Sequence, residues 1–171
     1  MNTHHHYTIT SAVRAHVPAI HGMVRELAQY EKLEHLVTGT AADLEEELFG
    51  ARPVIDALVA LANTTPVAFA LYFHNYSTFL ARRGLYLEDL YVQPAHRRHG
   101  IGRALLIQLA RIAVERRCGR FEWSVLDWNA PAIQFYEQLG ATVMPEWRIV
   151  RVTGDTLQSL AARTSAWDTP R

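Results

Sequence analysis

The sequence holds a single cysteine, Cys118, among 171 residues. No intramolecular disulfide can form, and a reducing, cytoplasmic setting is expected. It also lacks an excess charge of either sign, since 17 Lys and Arg balance 17 Asp and Glu. That balance removes the phosphate attraction on which nucleic-acid binders rely, so no nucleic-acid partner is expected. Long apolar runs are missing too. The stretches Val54–Leu61 and Val67–Phe73 fall far short of the roughly 18 residues that span a bilayer, and no membrane partner is expected. Met1–Thr10 has a histidine triplet and no apolar segment of the kind a secretory signal needs. What remains is an ordinary globular composition, 49% hydrophobic and 10% aromatic. A chain of this size can bury one self-sufficient core. Residues 1–171 are therefore expected to form one domain, with its core over about 7–152 and a tail over 153–171.

Hydrophobic periodicity orders the elements. Tyr7–Val13 alternates as an edge strand, and Pro18 sits where a first-turn proline is tolerated, opening a helix over Ala19–Glu31. Thr40 followed by Asp43 has the spacing of a capping box for a second helix ending near Gly50. Val54–Leu61 and Val67–Phe73, joined by Asn63-Thr64-Thr65-Pro66, predict an antiparallel hairpin. After a polar connection over His74–Arg83, a third strand is expected over Leu85–Val92, stopped by Pro94. A long amphipathic helix then places Ile101, Leu105, Leu109, Ile112 and Ala113 on one face, with Gly119 as its left-handed stop. Phe121–Leu126 reads as a strand, Ala130–Leu139 as a helix closed by Gly140, and Ala141–Val152 as a last strand. This order predicts an α/β (α+β) fold, a mixed sheet with helices on both faces.

The turn Arg97-Arg98-His99-Gly100-Ile101-Gly102, between a strand and a helix, has chemical consequences. The first turn of a helix leaves about four N–H groups unpaired and carries partial positive charge, so it binds phosphate where side chains leave it open. Gly100 and Gly102 leave it open, and Arg97, Arg98 and Arg103 add cations suited to a diphosphate. Gly102 is followed by Arg103-Ala104, which fails the Walker pattern, and Leu105 fills the position where a dinucleotide fingerprint needs a small residue.

Arg97-x-x-Gly100-x-Gly102, directly after Leu87-Glu88-Asp89-Leu90-Tyr91-Val92, resembles the acetyl-CoA motif of the GCN5-related N-acetyltransferases (GNAT). Asp127-Trp128-Asn129-Ala130-Pro131-Ala132-Ile133-Gln134-Phe135-Tyr136, running on to Gly140, resembles a later segment of the same family. Leu27–Lys32, Tyr86–Asp89 and Trp128-Asn129-x-Pro131 are most similar to the spermidine/spermine (diamine) and thialysine acetyltransferases. The resemblance implies a mostly antiparallel sheet in which two parallel strands splay apart. It also implies acetyl-CoA as co-substrate, no metal, and a homodimer. The pantetheine arm would lie along Leu90, Tyr91 and Val92 as an added strand does. The diphosphate would meet N–H groups across Arg98–Arg103, through His99 and Ile101, beside Arg97, and Asn129 and Ala132 would lie near the distal part of the cofactor.

The chemistry implied is direct attack by an amine. With a reference pKa of about 10.4, few amine molecules are neutral at pH 7, so a base is needed. Glu88 matches the family's base, acting directly or through water. Tyr136 matches the acid that protonates the departing thiolate, and N–H groups near Leu90 would stabilise the oxyanion. Asp89 should face the other side of the strand unless a bulge intervenes. Tyr30 and Glu31 match polyamine-binding positions, and Glu146 before Trp147-Arg148 is a further expected substrate contact. Tyr30–Glu47 carries six carboxylates, Glu31, Glu34, Asp43, Glu45, Glu46 and Glu47, against one lysine, which favours a small-molecule cationic amine. His96 with His99, and the triplet His4–His6, lack the third or fourth ligand of a tight zinc site. Two alternatives stay open: a protein or peptide amine as acceptor, and a CoA-binding sensor without chemistry.

Overall fold

The computed structural model describes residues 6–163. His4, His5 and the last residues of the tail lie outside that range. The elements run β1 (Tyr7–Ser11), α1 (Val17–Glu31), α2 (Ala41–Phe49), β2 (Asp56–Ala62), β3 (Thr65–Ser77), β4 (Arg82–Val92), α3 (Ile101–Glu115), β5 (Phe121–Trp123), α4 (Ala130–Glu137) and α5 (Gly154–Ala161). The chain divides into two compact units, one ending at Ser124 and the other beginning at Val125.

The first unit is a five-stranded sheet in the order β1-β2-β3-β4-β5. Its first four strands are antiparallel neighbours, and β5 joins β4 in parallel. Side chains alternate across the sheet. Ala57, Val59, Phe69, Leu71 and Tyr91 pack against Val17, Ile20 and Met23 of α1 and Leu48 of α2. Leu58 and Tyr72, one residue out of phase, line a cavity together with Gln108 and Ile112 of α3. Helices therefore cover both faces, as expected.

Local chemistry sets the helix ends. Pro18 opens α1, and Lys32 ends it in the left-handed region at φ 62°. In α2 the Asp43 N–H donates to the Thr40 hydroxyl at 3.2 Å, and the Thr40 N–H donates to the Asp43 carboxylate at 2.8 Å. This is the reciprocal capping box read from the sequence.

Three expectations are corrected. The segment expected as a connection over His74–Arg83 is largely strand: β3 continues to Ser77 and β4 begins at Arg82, so only four residues turn the hairpin. Its polar side chains find partners within the ladder, such as Asn75 donating to Glu122 at 2.6 Å. The left-handed residue after α3 is Arg117, at φ 56°. Gly119 lies against the hairpin instead, where a Cβ would stand 2.9 Å from Leu80 Cδ1, the movable end of a side chain. Finally, Ala141–Val152 forms no strand, and β5 is only three residues long. A strand exists only through a paired neighbour, and no ladder forms among the described residues of the second unit. Pro145 within the stretch removes a donor as well.

Candidate active site

β4 carries the first part of the site. Leu71 of β3 pairs with Asp89 while its neighbour Tyr72 pairs with Leu87, so Glu88 is an extra residue on β4. Such a bulge re-aims side chains that strict alternation would separate. Asp89 pairs across from Leu71 and so faces α1. The charges of Glu88 and of Glu31, in the last turn of α1, both act on it. The bulge at Glu88 thus removes the strict alternation that would set Glu88 and Asp89 on opposite sides of the strand.

The electrostatics follow from the clustering. Burial first, and then the Glu88 and Glu31 charges, lift the Asp89 carboxyl from its ordinary range to about 6. Burial also raises the Glu31 carboxyl. Glu88 is exposed beside the half-buried Asp89 and Glu31, and a cation arriving here would offset the repulsion among the three carboxylates.

The same bulge marks where the parallel pair parts. β4 and β5 are bonded only from Leu85↔Phe121 to Leu87↔Trp123. From Glu88 onward, through Leu90, Tyr91 and Val92, β4 continues without β5 beside it among the described residues. That open strand edge can accept an amide-bearing chain by main-chain bonding.

After β4 the chain makes a short turn over Pro94–His96 and then enters α3. Arg98 and Gly100 both adopt left-handed backbone, at φ 64° and φ 78°. The first helical bond runs from the Ala104 N–H to the Gly100 carbonyl, so the N–H groups of Ile101, Gly102 and Arg103 stand before the ladder. A Cβ built on Gly100 meets no atom within 4 Å. The turn is therefore open at Gly100, while the His99 ring folds back onto it with Nδ1 2.9 Å from the Arg97 carbonyl oxygen. Arg98, His99 and Arg103 are exposed around it. This geometry fits the diphosphate of a nucleotide thioester.

Two contacts of this loop have no signal in the sequence. The Tyr7 hydroxyl of β1 lies 3.1 Å from His96 Nδ1, and its ring packs edge-on against His96 at 5.9 Å, fixing the base of the turn. Arg97 turns away from the helix start: its Nε donates to the Val92 carbonyl at 2.9 Å, and its guanidinium carbon lies 5.5 Å from the ring centres of both Tyr30 and Tyr91.

The second unit holds the other expected site residues. Asn129 caps α4, its side-chain oxygen accepting from the Ala132 N–H at 3.4 Å. Tyr136 lies half-buried in the same helix with its ring against Phe135 at 5.4 Å. Glu146 is exposed on the stretch that the sequence suggested as a strand.

Comparison with known proteins agrees with this geometry. The family model of the acetyltransferase (GNAT) family matches residues 22–141. L-ornithine N5-acetyltransferase NATA1 of Arabidopsis thaliana is 34% identical over 89% of this chain and 86% of its own length. Thialysine N-epsilon-acetyltransferase of Mus musculus is 38% identical over 82% of this chain and 89% of its own. An integron cassette protein from V. cholerae superposes with a TM-score of 0.77 at 26% identity, covering 92% of this chain and 98% of that one. The splayed parallel strands, the bulged β4 and the open glycine turn before α3 thus occur in a chain that belongs to the GNAT acetyltransferase family.

Proposed function

We propose that this acetyltransferase moves the acetyl group of acetyl-CoA to a primary amine of a small cationic acceptor, such as a polyamine, a diamine or a lysine-like amino acid. The observation that carries the acceptor class is the grouping of Glu31 and Glu88 around Asp89 at the bulge, where burial first and then the two neighbouring negative charges raise the Asp89 carboxyl. The acetyltransferases of L-ornithine and thialysine to which the chain is similar support the same class. Acetyl-CoA, when bound, supplies an activated acetyl group as a thioester. In this reading the N–H groups from Ile101 to Arg103, with Arg98 and His99, hold the diphosphate, and Leu90, Tyr91 and Val92 hold the pantetheine arm. Asn129 and Ala132 contact the distal part of the cofactor.

Glu88 takes one proton from the ammonium, directly or through water, and leaves a neutral nitrogen. The nitrogen then bonds to the acetyl carbon as the carbon–sulfur bond breaks. Tyr136 donates a proton to the departing sulfur and recovers one from the acetylated nitrogen, so no covalent enzyme species forms. Tyr30, Glu31, Asp89 and Glu146 bind the acceptor, with Asp89 accepting the second positive charge of a diamine. The enzyme acts as a cytoplasmic homodimer. The apolar side chains of Trp147, Ile149 and Val150, all exposed, support a second copy as their cover. Among the described residues no helix is long and apolar enough to cross a membrane.

The test is thiol release from acetyl-CoA across a panel of amines, with product mass read in parallel. Spermidine, 1,3-diaminopropane, ornithine and thialysine should stimulate release, and neutral amines and peptides should not. Tyr136→Phe should lower kcat by about a hundredfold with little change in the amine KM. If no member of the panel stimulates release while CoA still binds, the chain is a sensor and the catalytic reading fails.

A further inference from the structure

The motif that places Arg97 among the diphosphate ligands leaves its observed position unexplained. Tyr91 faces α1, because it pairs with Phe69 and packs with the α1 core residues. α3, whose first turn offers the N–H groups for a diphosphate, packs on the opposite face. Arg97 reaches back to the Tyr91 side. Its guanidinium is set over two rings and anchored by the Val92 carbonyl. The left-handed Arg98 that follows is what turns the chain away, so that the side chains of residues 97 and 98 leave the backbone in different directions.

The second of these rings is Tyr30, one residue before Glu31. Both belong to the last turn of α1, which ends at the left-handed Lys32. A helix terminus is the part of a helix that frays most readily, and here Arg97 ties it to the end of β4. A shallow cavity of about 360 Å³, lined by Glu26, Gln29, Tyr30, Tyr91, Pro94 and Arg97, lies between α1 and β4 at this point. Gln93 adds one further tie, donating to Glu26 at 3.1 Å.

We infer that Arg97 is a positioning residue for the amine side of the site: set over the rings of Tyr30 and Tyr91 and bonded to the Val92 carbonyl, it fixes the α1 terminus that carries Tyr30 and Glu31. It does not hold the diphosphate. The inference rests on the amine-acceptor reading, and it joins the first residue of the cofactor turn to the acceptor pocket. A guanidinium is required because its Nε donates to the Val92 carbonyl while its central carbon faces both rings, and the single nitrogen of an ammonium cannot fill both places at once.

The experiment compares Arg97→Ala, Arg97→Lys and Tyr30→Leu with the wild-type chain. Steady-state rates are measured with acetyl-CoA and with acetyl-pantetheine, which lacks the diphosphate, and CoA binding is measured by calorimetry. Arg97→Ala should raise the amine KM about tenfold, by loss of two cation–ring contacts. CoA affinity should stay within about twofold, since a diphosphate contact would be worth more. The rise in amine KM should be the same with either donor, and Arg97→Lys should not rescue it. Tyr30→Leu should reproduce the effect, and the double variant should be no worse than either single one. The inference is overturned if CoA affinity falls about tenfold in Arg97→Ala and Lys restores it, or if the defect vanishes with acetyl-pantetheine. It is also overturned if Tyr30→Leu leaves the amine KM unchanged. Should the wild-type chain acetylate no amine, the acceptor reading fails separately. Calorimetry then decides for Arg97: unchanged CoA affinity in Arg97→Ala keeps it off the diphosphate, and weakened affinity overturns the inference.

Discussion

Asp89 shows how one residue links fold, stability and chemistry. Its carboxyl is raised to about 6 by burial and by the Glu88 and Glu31 charges. The folded protein therefore holds this proton more tightly than the unfolded chain, whose value is about 3.9. Below the unfolded value both states are protonated and the site costs nothing. Above about pH 6 the buried charge is present and costs on the order of 2–3 kcal/mol of stability. Asp89→Asn should therefore raise the melting temperature at pH 8 and leave it unchanged at pH 3. The same substitution should raise the amine KM and abolish its increase as pH falls through 6. An equal shift in melting temperature at both pH values would show that the charge is not the cause. Glu88 and Asp89 are readable in the sequence as neighbouring carboxylates. That they share one side of β4 is not readable, because it depends on Leu71 and Tyr72 of another strand skipping Glu88 in the register.

At the scale of elements, the turn before α3 is defined by backbone shape more than by side chains. Gly100 has φ 78°, and a Cβ there would meet nothing within 4 Å. Gly100→Ala should thus cost only about 1–2 kcal/mol, from the left-handed backbone alone. Its larger effect should be on CoA, because the new methyl group points into the space proposed for the diphosphate. Chemical denaturation and CoA titration on the same variant separate the two. A full loss of stability with normal CoA affinity would mean the turn is structural. This element was legible because glycines between a strand and an amphipathic helix have few other physical roles. The capping box of α2 was legible for a similar reason, being a local pair of residues. By contrast, Ala141–Val152 has strand-like composition, but pairing is not a property of composition. The ring contact of Arg97 was equally hidden, since Tyr30 is remote from it in sequence and reaches it only through the packing of α1 on the sheet.

For the molecule as a whole, the sheet with α1 and α2 on one face and α3 on the other brings three remote segments to the end of β4. α1 delivers Tyr30 and Glu31, β4 delivers the bulge and an open edge, and the turn before α3 delivers unpaired N–H groups. Homodimer formation should cover the exposed Trp147, Ile149 and Val150. Sedimentation velocity should then give twice the chain mass, and Trp147→Asp with Val150→Asp should reduce it to one. A single-chain mass for the unaltered protein at micromolar concentration would refute the dimer. The claim on which the rest depends is that the open turn around Gly100 holds a CoA diphosphate. Isothermal titration of the protein with CoA tests it most directly: one site per chain is expected, with affinity lowered at least tenfold in Gly100→Ala, and no heat on titration of the unaltered protein would contradict it.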